Sequence, residues 1–212
     1  MQDIKQTLLD AYSFRHACKI FDTTKRISDE EFEFVLETAR LSPTSFGMEG
    51  VKLMVITDQE LKAKLKPLCW NQNQIDSCSH LVIFKTKTKD LKPFSEWTKA
   101  KFAQRGLPQE AQDNYMNVYA NFHKTLKSDD IYEWGTRQAY IMFSSMITSA
   151  ALLDIDSCPI EGFEKENLEQ ALQVNTDQEE ISLVCTFGYR VNPQPKKFRL
   201  SLNEICEFRP PS

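Results

Sequence analysis

Histidine is scarce in this chain of 212 residues. His16, His80 and His123 stand at unrelated spacings, which argues against a histidine-built metal site. The six cysteines, Cys18, Cys69, Cys78, Cys158, Cys185 and Cys206, form no C-x-x-C pair, so neither a zinc framework nor a disulfide scaffold is expected. No apolar run reaches the roughly 20 residues that a membrane-spanning helix needs. The opening MQDIKQTLLDAYSF has no apolar signal core, so a cytoplasmic protein with reduced thiols is expected. An excess of positive charge is also missing. Asp and Glu number 30 against 26 Lys and Arg, a net charge of −4, which speaks against a nucleic-acid partner. There is no Walker loop, no G-x-G-x-x-G after a strand and no G-x-S-x-G elbow. These absences exclude a P-loop enzyme, a Rossmann nucleotide site and an α/β-hydrolase triad. Repeats and low-complexity segments are absent too.

What is present suffices for one substantial domain. A chain of this length buries roughly 70% of its unfolded surface without staples, and residues 1–212 read as a single domain. Its organising stretch is 131–162. From Tyr140 to Leu153 almost nothing is charged, and Ala139, Ile141, Met142, Phe143, Met146, Ile147, Ala150, Ala151, Leu152 and Leu153 cover nearly every side of a helix. That pattern predicts a buried helix. Asp154 and Asp156 follow, and then the exit Ser157-Cys158-Pro159-Ile160-Glu161-Gly162, an extended segment suited to holding backbone groups in a site.

Around this spine, Ser28-Asp29-Glu30-Glu31 is a capping box that opens a helix, and Leu41-Ser42-Pro43 stops it. Residues 51–56 read as a strand, Asp58 caps a helix, and Leu81-Val82-Ile83-Phe84 is a second strand. Residues 181–189 form the strongest strand, apolar on both faces and therefore central. The segment 85–130 is the most polar. Helices are expected within it over 94–102 and 109–126, as an excursion too poor in apolar residues to build its own core. Residues 193–212 hold Pro193, Pro195, Pro210 and Pro211 and read as an extended arm. The mixture predicts an α+β layered domain.

Three clusters could carry chemistry. Arg15, His16 and Lys19 could clamp a phosphate, although charge runs are more often a solvated turn. Ser42-Pro43-Thr44-Ser45-Phe46-Gly47 could hold a polar ligand or simply make a turn. Lys196-Lys197-Phe198-Arg199 is an ordinary basic tail unless the arm folds back toward Arg15. Cys158, beside a proline, could be a nucleophile, but free cysteines more often behave as small buried hydrophobes.

In chain order the motifs resemble the nitroreductase family of flavin-dependent oxidoreductases. They are Arg15-His16-x-x-Lys19, Leu41-Ser42-Pro43-Thr44-Ser45, residues 76–80 before a strand, Pro159-Ile160-Glu161-Gly162, Phe187-Gly188-Tyr189-Arg190 and Lys197-x-Arg199. The likeness spans nearly the whole chain and leans toward the oxygen-insensitive nitroreductases, including those of epsilonproteobacteria. It implies an FMN-binding fold with a central, mostly antiparallel sheet flanked by helices. It also implies a homodimer with FMN at the interface and a swapped terminal arm. Hydride would come from NADH or NADPH and pass to nitro compounds or quinones in a ping-pong cycle. No catalytic side chain and no metal are implied. The alternatives on the same scaffold are a flavin or dihydropteridine reductase, a flavin-destructase or dehalogenase-like use of FMN, and a non-catalytic flavin-binding protein.

The resemblance also assigns residues. Arg15, Lys197 and Arg199 would hold the FMN phosphate, and His16 the ribityl side. Lys19, with Asn71 and Gln74, would meet the pyrimidine edge. Ser42, Thr44 and Ser45 would reach the flavin from the partner subunit. Pro159 and Ile160 would pack on the ring, with the backbone of Glu161 and Gly162 near N5. Departures exist. Ala17 stands where a serine is common, Gly47-Met48-Glu49-Gly50-Val51 replaces N-x-Q-P-W, and Gln74 replaces a second cation. The last leaves Lys19 as the main charge at that edge and implies a lower flavin potential. Phe102, Tyr115, Tyr119 and Phe122 are candidates to shape the acceptor pocket.

Overall fold

The apolar runs become strands and the capped segments become helices in the computed structural model, which describes residues 3–126 and 130–209. The strands are Val51–Ile56 (β1), His80–Thr86 (β2), Asp156–Ile160 (β3) and Glu180–Gly188 (β4). They form one four-stranded sheet in the order β1-β2-β4-β3, antiparallel at every pairing. The two inner strands are buried on both faces, which is why their sequences read as continuous apolar runs.

Successive residues of a strand point to opposite faces. Val82, Phe84, Leu183, Cys185 and Phe187 therefore enter one core cluster, while Leu81, Ile83 and Val184 enter another, and a register shift opposite Phe84 and Lys85 brings Ile181 into the second cluster as well. The first is covered by Asp29–Arg40 (α2, after Ile4–Phe14, α1) and by Asp130–Leu152 (α7). The second packs against Gln59–Leu65 (α3), Gln74–Ser77 (α4) and Lys165–Ala171 (α8). Ser28 and Glu31 make the reciprocal capping bonds at the start of α2, and Asp58 caps α3 through its side chain.

Two expectations need correction. The long helix α7 is not buried all round. Arg137, Tyr140, Ile141, Ser144 and Leu152 lie along an exposed stripe, because only one side of the helix faces the sheet and α2. The excursion, with Glu96–Ala103 (α5) and Gln109–Thr125 (α6), does take part in a core. It does so by borrowing. Leu91, Phe102, Met116 and Tyr119 close around Met48 from the loop before β1 and Trp134 from α7. The tail contributes a short helix, Leu202–Ile205 (α9), opened by a capping box of Ser201 and Glu204. The excursion's residues 127–129 and the arm's last three residues lie outside the described residues. Among the described residues, no helix is long and apolar enough to cross a membrane.

Candidate active site

Strand β3 draws two distant segments together. Ala17 pairs with Ser157 in a parallel bridge, and the Cys18 N–H donates to the Ser157 carbonyl at 3.1 Å. Residues 15–19 therefore run beside β3, whose end leads to Glu161 and Gly162. Arg15 is the C-cap of α1. The carbonyls at that helix end lack intrahelical partners and attract cations. Lys197 supplies one, since its Nζ donates to the carbonyls of both Tyr12 and Arg15. Gln194 Nε2 adds a bond to the Ser13 carbonyl at 2.7 Å. The arm thus folds back to Arg15, the condition that gave its basic residues meaning. Burial, then Arg15, then Arg199 push the Lys197 ammonium below its ordinary pKa. Arg15, Lys197 and Arg199 repel one another, and among the described residues none of them is paired with a carboxylate.

His16 is half-buried, with Nδ1 3.5 Å from Asp156 Oδ1. Burial first, and Arg190 second, lower its pKa, so the neutral imidazole is favoured. Asp156 is engaged chiefly by Arg190, whose backbone N–H and Nε reach Oδ2 at 2.8 and 3.0 Å. That pair ties the start of β3 to the end of β4.

Along β3, Cys158 is fully buried. Lys19 Nζ lies 3.5 Å and Gln74 Nε2 3.8 Å from its sulfur. Burial raises the thiol's pKa, so the thiolate that a nucleophile requires is disfavoured and the buried-hydrophobe reading holds. Gln74 Nε2 also donates to Gln72 Oε1 at 2.8 Å, and Gln72 Nε2 donates to the Gly162 carbonyl at 2.8 Å. Pro159 is half-buried and Ile160 buried. Tyr140 donates its hydroxyl to the exposed Glu161 carboxylate. Neither the Glu161 nor the Gly162 N–H has an acceptor among the described residues. Trp70 and Asn71 both adopt left-handed backbone, φ 54° and 56°. The Trp70 ring lies against Gly162, and the Asn71 side chain is exposed.

The Ser42 loop is placed differently. Ser42 Oγ donates to the Thr38 carbonyl and to Ser145 Oγ on α7, at 3.0 and 2.9 Å. Thr44 Oγ1 accepts the Glu49 N–H at 3.1 Å, and the Ser45 N–H donates to Gln138 Oε1 on α7 at 2.9 Å. None of these bonds goes to residues 159–162. Residues 46–49, which overlap the departing stretch 47–51, are held by α5 and the turn after it. Trp97 Nε1 donates to the Met48 carbonyl at 2.7 Å, Lys101 pairs with Glu49, and Arg105 donates to the Phe46 carbonyl.

Of the acceptor-pocket candidates, Tyr119 is locked in the core, its hydroxyl on the Leu91 carbonyl at 2.6 Å. Phe102 is buried and forms part of the lining of a cleft of about 450 Å³ between α5 and α6. Tyr115 is exposed and Phe122 half-buried. Sequence reasoning missed Tyr140, Gln72, Trp70 and Gln138. Tyr140 is hidden in an apolar run, and the left-handed pair 70–71 contains no glycine to announce it.

Comparison with known proteins gives a consistent picture. The sequence model described as the nitroreductase family matches residues 12–189. The Bacillus subtilis protein YfkO, provisionally named an NAD(P)H nitroreductase, is 39% identical over 220 residues, covering 98% of this chain and all of that protein. A crystal structure of ydfN from Bacillus subtilis, titled as a nitroreductase on the same provisional footing, superimposes with a TM-score of 0.85 at 21% identity, over 97% of this chain and 100% of that one. A similarly titled structure from Exiguobacterium sibiricum, in complex with FMN, has a TM-score of 0.80 at 23% identity, over 95% and 97% of the two chains. At these identities the structural likeness establishes the fold.

Proposed function

The chain belongs to the nitroreductase family, and we propose that it is an FMN-dependent enzyme that takes hydride from NADH or NADPH and reduces nitroaromatics, quinones or similar acceptors by a ping-pong mechanism. The observation that carries this reading is the convergence of Arg15, Lys197 and Arg199 beside β3, three cations with no carboxylate against them among the described residues.

FMN fits the residues present. Its phosphate would answer the unpaired charge of the three cations, through the strong charge-assisted class of hydrogen bond. The backbone donors of Glu161 and Gly162 are free to meet a polar edge, and Pro159 and Ile160 offer an apolar surface. His16 would adjoin the ribityl side. Asn71, whose exposed side chain has no partner among the described residues, and Gln74 would adjoin the pyrimidine edge beside Lys19. FMN, when bound, supplies a two-electron carrier between nicotinamide and acceptor. The protein's part is to hold that carrier, to place positive charge from Lys19 where negative charge develops, and to aim the N–H groups of residues 161 and 162.

A homodimer completes the reading. Phe198, Leu200, Leu202, Ile205 and Phe208 on the arm are all more than 60% exposed. So many large apolar side chains left exposed on one arm favour an interaction site there. A second copy would cover it, and would bring its Ser42, Thr44 and Ser45 toward this chain's flavin. We read the whole chain as one catalytic domain working in the cytoplasm. The test is titration of colourless apoprotein with FMN, with mass measured by light scattering. One FMN per chain and a dimer mass support the reading. A chain that takes up no FMN removes it.

A further inference from the structure

The β3 ladder ends at the pairing of Ile160 with Val184. The next backbone anchors are the Phe163 N–H on the Glu161 carbonyl at 3.1 Å and the Glu164 N–H on the Leu68 carbonyl at 2.8 Å. Between them, the two N–H groups assigned to the flavin sit on backbone that the sheet no longer holds. One of the two residues is glycine, the most permissive residue for backbone direction. Something else must fix where those groups point.

We propose that Tyr140 and Gln72 are positioning residues that clamp Glu161 and Gly162 from two sides and thereby set the direction of their backbone N–H groups. This rests on the FMN reading above. Tyr140 projects from α7, a long helix packed on the sheet, and donates to Glu161 Oε1. Burial, and then Glu161, raise the tyrosine's pKa to about 12, so it remains a donor at every working pH. From the other side, Gln72 Nε2 donates to the Gly162 carbonyl at 2.8 Å and also to the Cys69 carbonyl at 3.0 Å. Its own oxygen is fixed by Gln74 Nε2 at 2.8 Å. Gln74 is buried, so the amide chain is anchored in the core. The Trp70 ring closes the remaining side. A Cβ at Gly162 would lie 2.5 Å from its Cε3. A site is held to productive geometry when its supporting residues are themselves locked on rigid elements, and this is such an arrangement.

The arrangement separates two roles for Glu161. Its backbone N–H is offered to the cofactor, while its side chain serves only as the acceptor that Tyr140 grips. Glu161→Gln keeps an oxygen for that grip, and Glu161→Ala removes it.

The test uses the FMN-loaded protein with three readouts: the Kd for FMN, the midpoint potential, and the ¹⁵N shift of N5 in labelled FMN, which reports the hydrogen bond at that atom. Tyr140→Phe and Gln72→Leu should each raise the Kd roughly two- to tenfold, the worth of one hydrogen bond, and move both the N5 shift and the potential. Glu161→Gln, which keeps an oxygen for the grip, should move the Kd and the N5 shift less than Glu161→Ala does. In Kd and N5 shift Glu161→Ala should match Tyr140→Phe, and the double variant Tyr140→Phe/Glu161→Ala should lose no more there than either single one, because the two groups act through one contact. Unchanged Kd, shift and potential in Tyr140→Phe overturn the clamp, as do additive losses in the double variant. If Gln72→Leu fails to fold, the Tyr140 and Glu161 variants decide alone. A wild-type chain that binds no FMN overturns both the clamp and the reading it rests on, whereas FMN bound with indifferent variants overturns the clamp only.

Discussion

Lys197 Nζ donates to the backbone carbonyl of Arg15, joining the C-terminal arm to the end of α1. The bond gives Lys197 a structural duty that Arg199 lacks, since among the described residues Arg199 donates only to the neighbouring Phe198 carbonyl. The two should therefore respond differently to truncation. Arg199→Ala is expected to raise the FMN Kd roughly 10- to 100-fold, the value of a hydrogen bond to a charged group, with the apoprotein's Tm unchanged. Lys197→Ala should weaken FMN and lower the Tm together. Fluorescence titration and calorimetry check both, and an unchanged Kd in Arg199→Ala removes that residue from the phosphate site.

Lys19 lies at the Cys158 sulfur with Gln74 opposite it. Gln74 is uncharged and its amide is committed to Gln72, so in the proposed site Lys19 would carry the positive charge at the flavin's pyrimidine edge. Lys19→Met is expected to lower the midpoint potential of bound FMN by about 30 mV or more, about 1.4 kcal/mol for a two-electron couple. For the same reason the wild-type potential should lie below that of relatives with two cations here. Equilibration with reference dyes measures both, and a value no lower than theirs sinks the argument.

How much of this was legible in the sequence varied with the kind of interaction. The strand Val51–Ile56 and the helix after Ser28 could be read directly, because apolar runs and capping boxes are local signals. The Arg15 and Lys197 cluster emerged only from family order, since nothing local to either says that they meet. Tyr140 and Gln72 could not be read at all. One sits in a helix that looked uniformly apolar, the other in a turn held by the left-handed residues Trp70 and Asn71. The exposed stripe on α7 was likewise hidden, because an apolar residue on an uncovered face reads the same as one in a core.

His80 stacks on Phe32 with ring centroids 3.9 Å apart, and its pKa falls to about 4, through burial first and then Lys62 and Arg26. An unfolded histidine titrates near 6.5. As pH falls, the unfolded chain takes up this proton first, so the stability is present above about pH 6.5 and is lost toward pH 4, by about 1.4 kcal/mol per pH unit. His16 and His123 are shifted in the same direction. His80→Gln should flatten this acid limb by close to one proton when urea unfolding is compared at several pH values between 7.5 and 4.5. An unaltered slope would show that His80 is not buried as a neutral ring.

Gly135 brings α7 close to β2. A Cβ there would lie 2.3 Å from Thr86 Cγ2, and Thr86 is fully buried with its hydroxyl on Ser182. Neither side has room to yield, so Gly135→Ala should cost about 1–3 kcal/mol through overpacking. Urea denaturation reads this directly, and wild-type stability would mean that the helix is free to shift.

Everything proposed for the site depends on hydride passing through bound FMN. Anaerobic titration of the purified, FMN-loaded protein with NADH and with NADPH tests it most directly. At least one nicotinamide should bleach the flavin absorbance stoichiometrically, and a nitroarene or quinone should then restore it. A flavin spectrum that neither nicotinamide changes would contradict it.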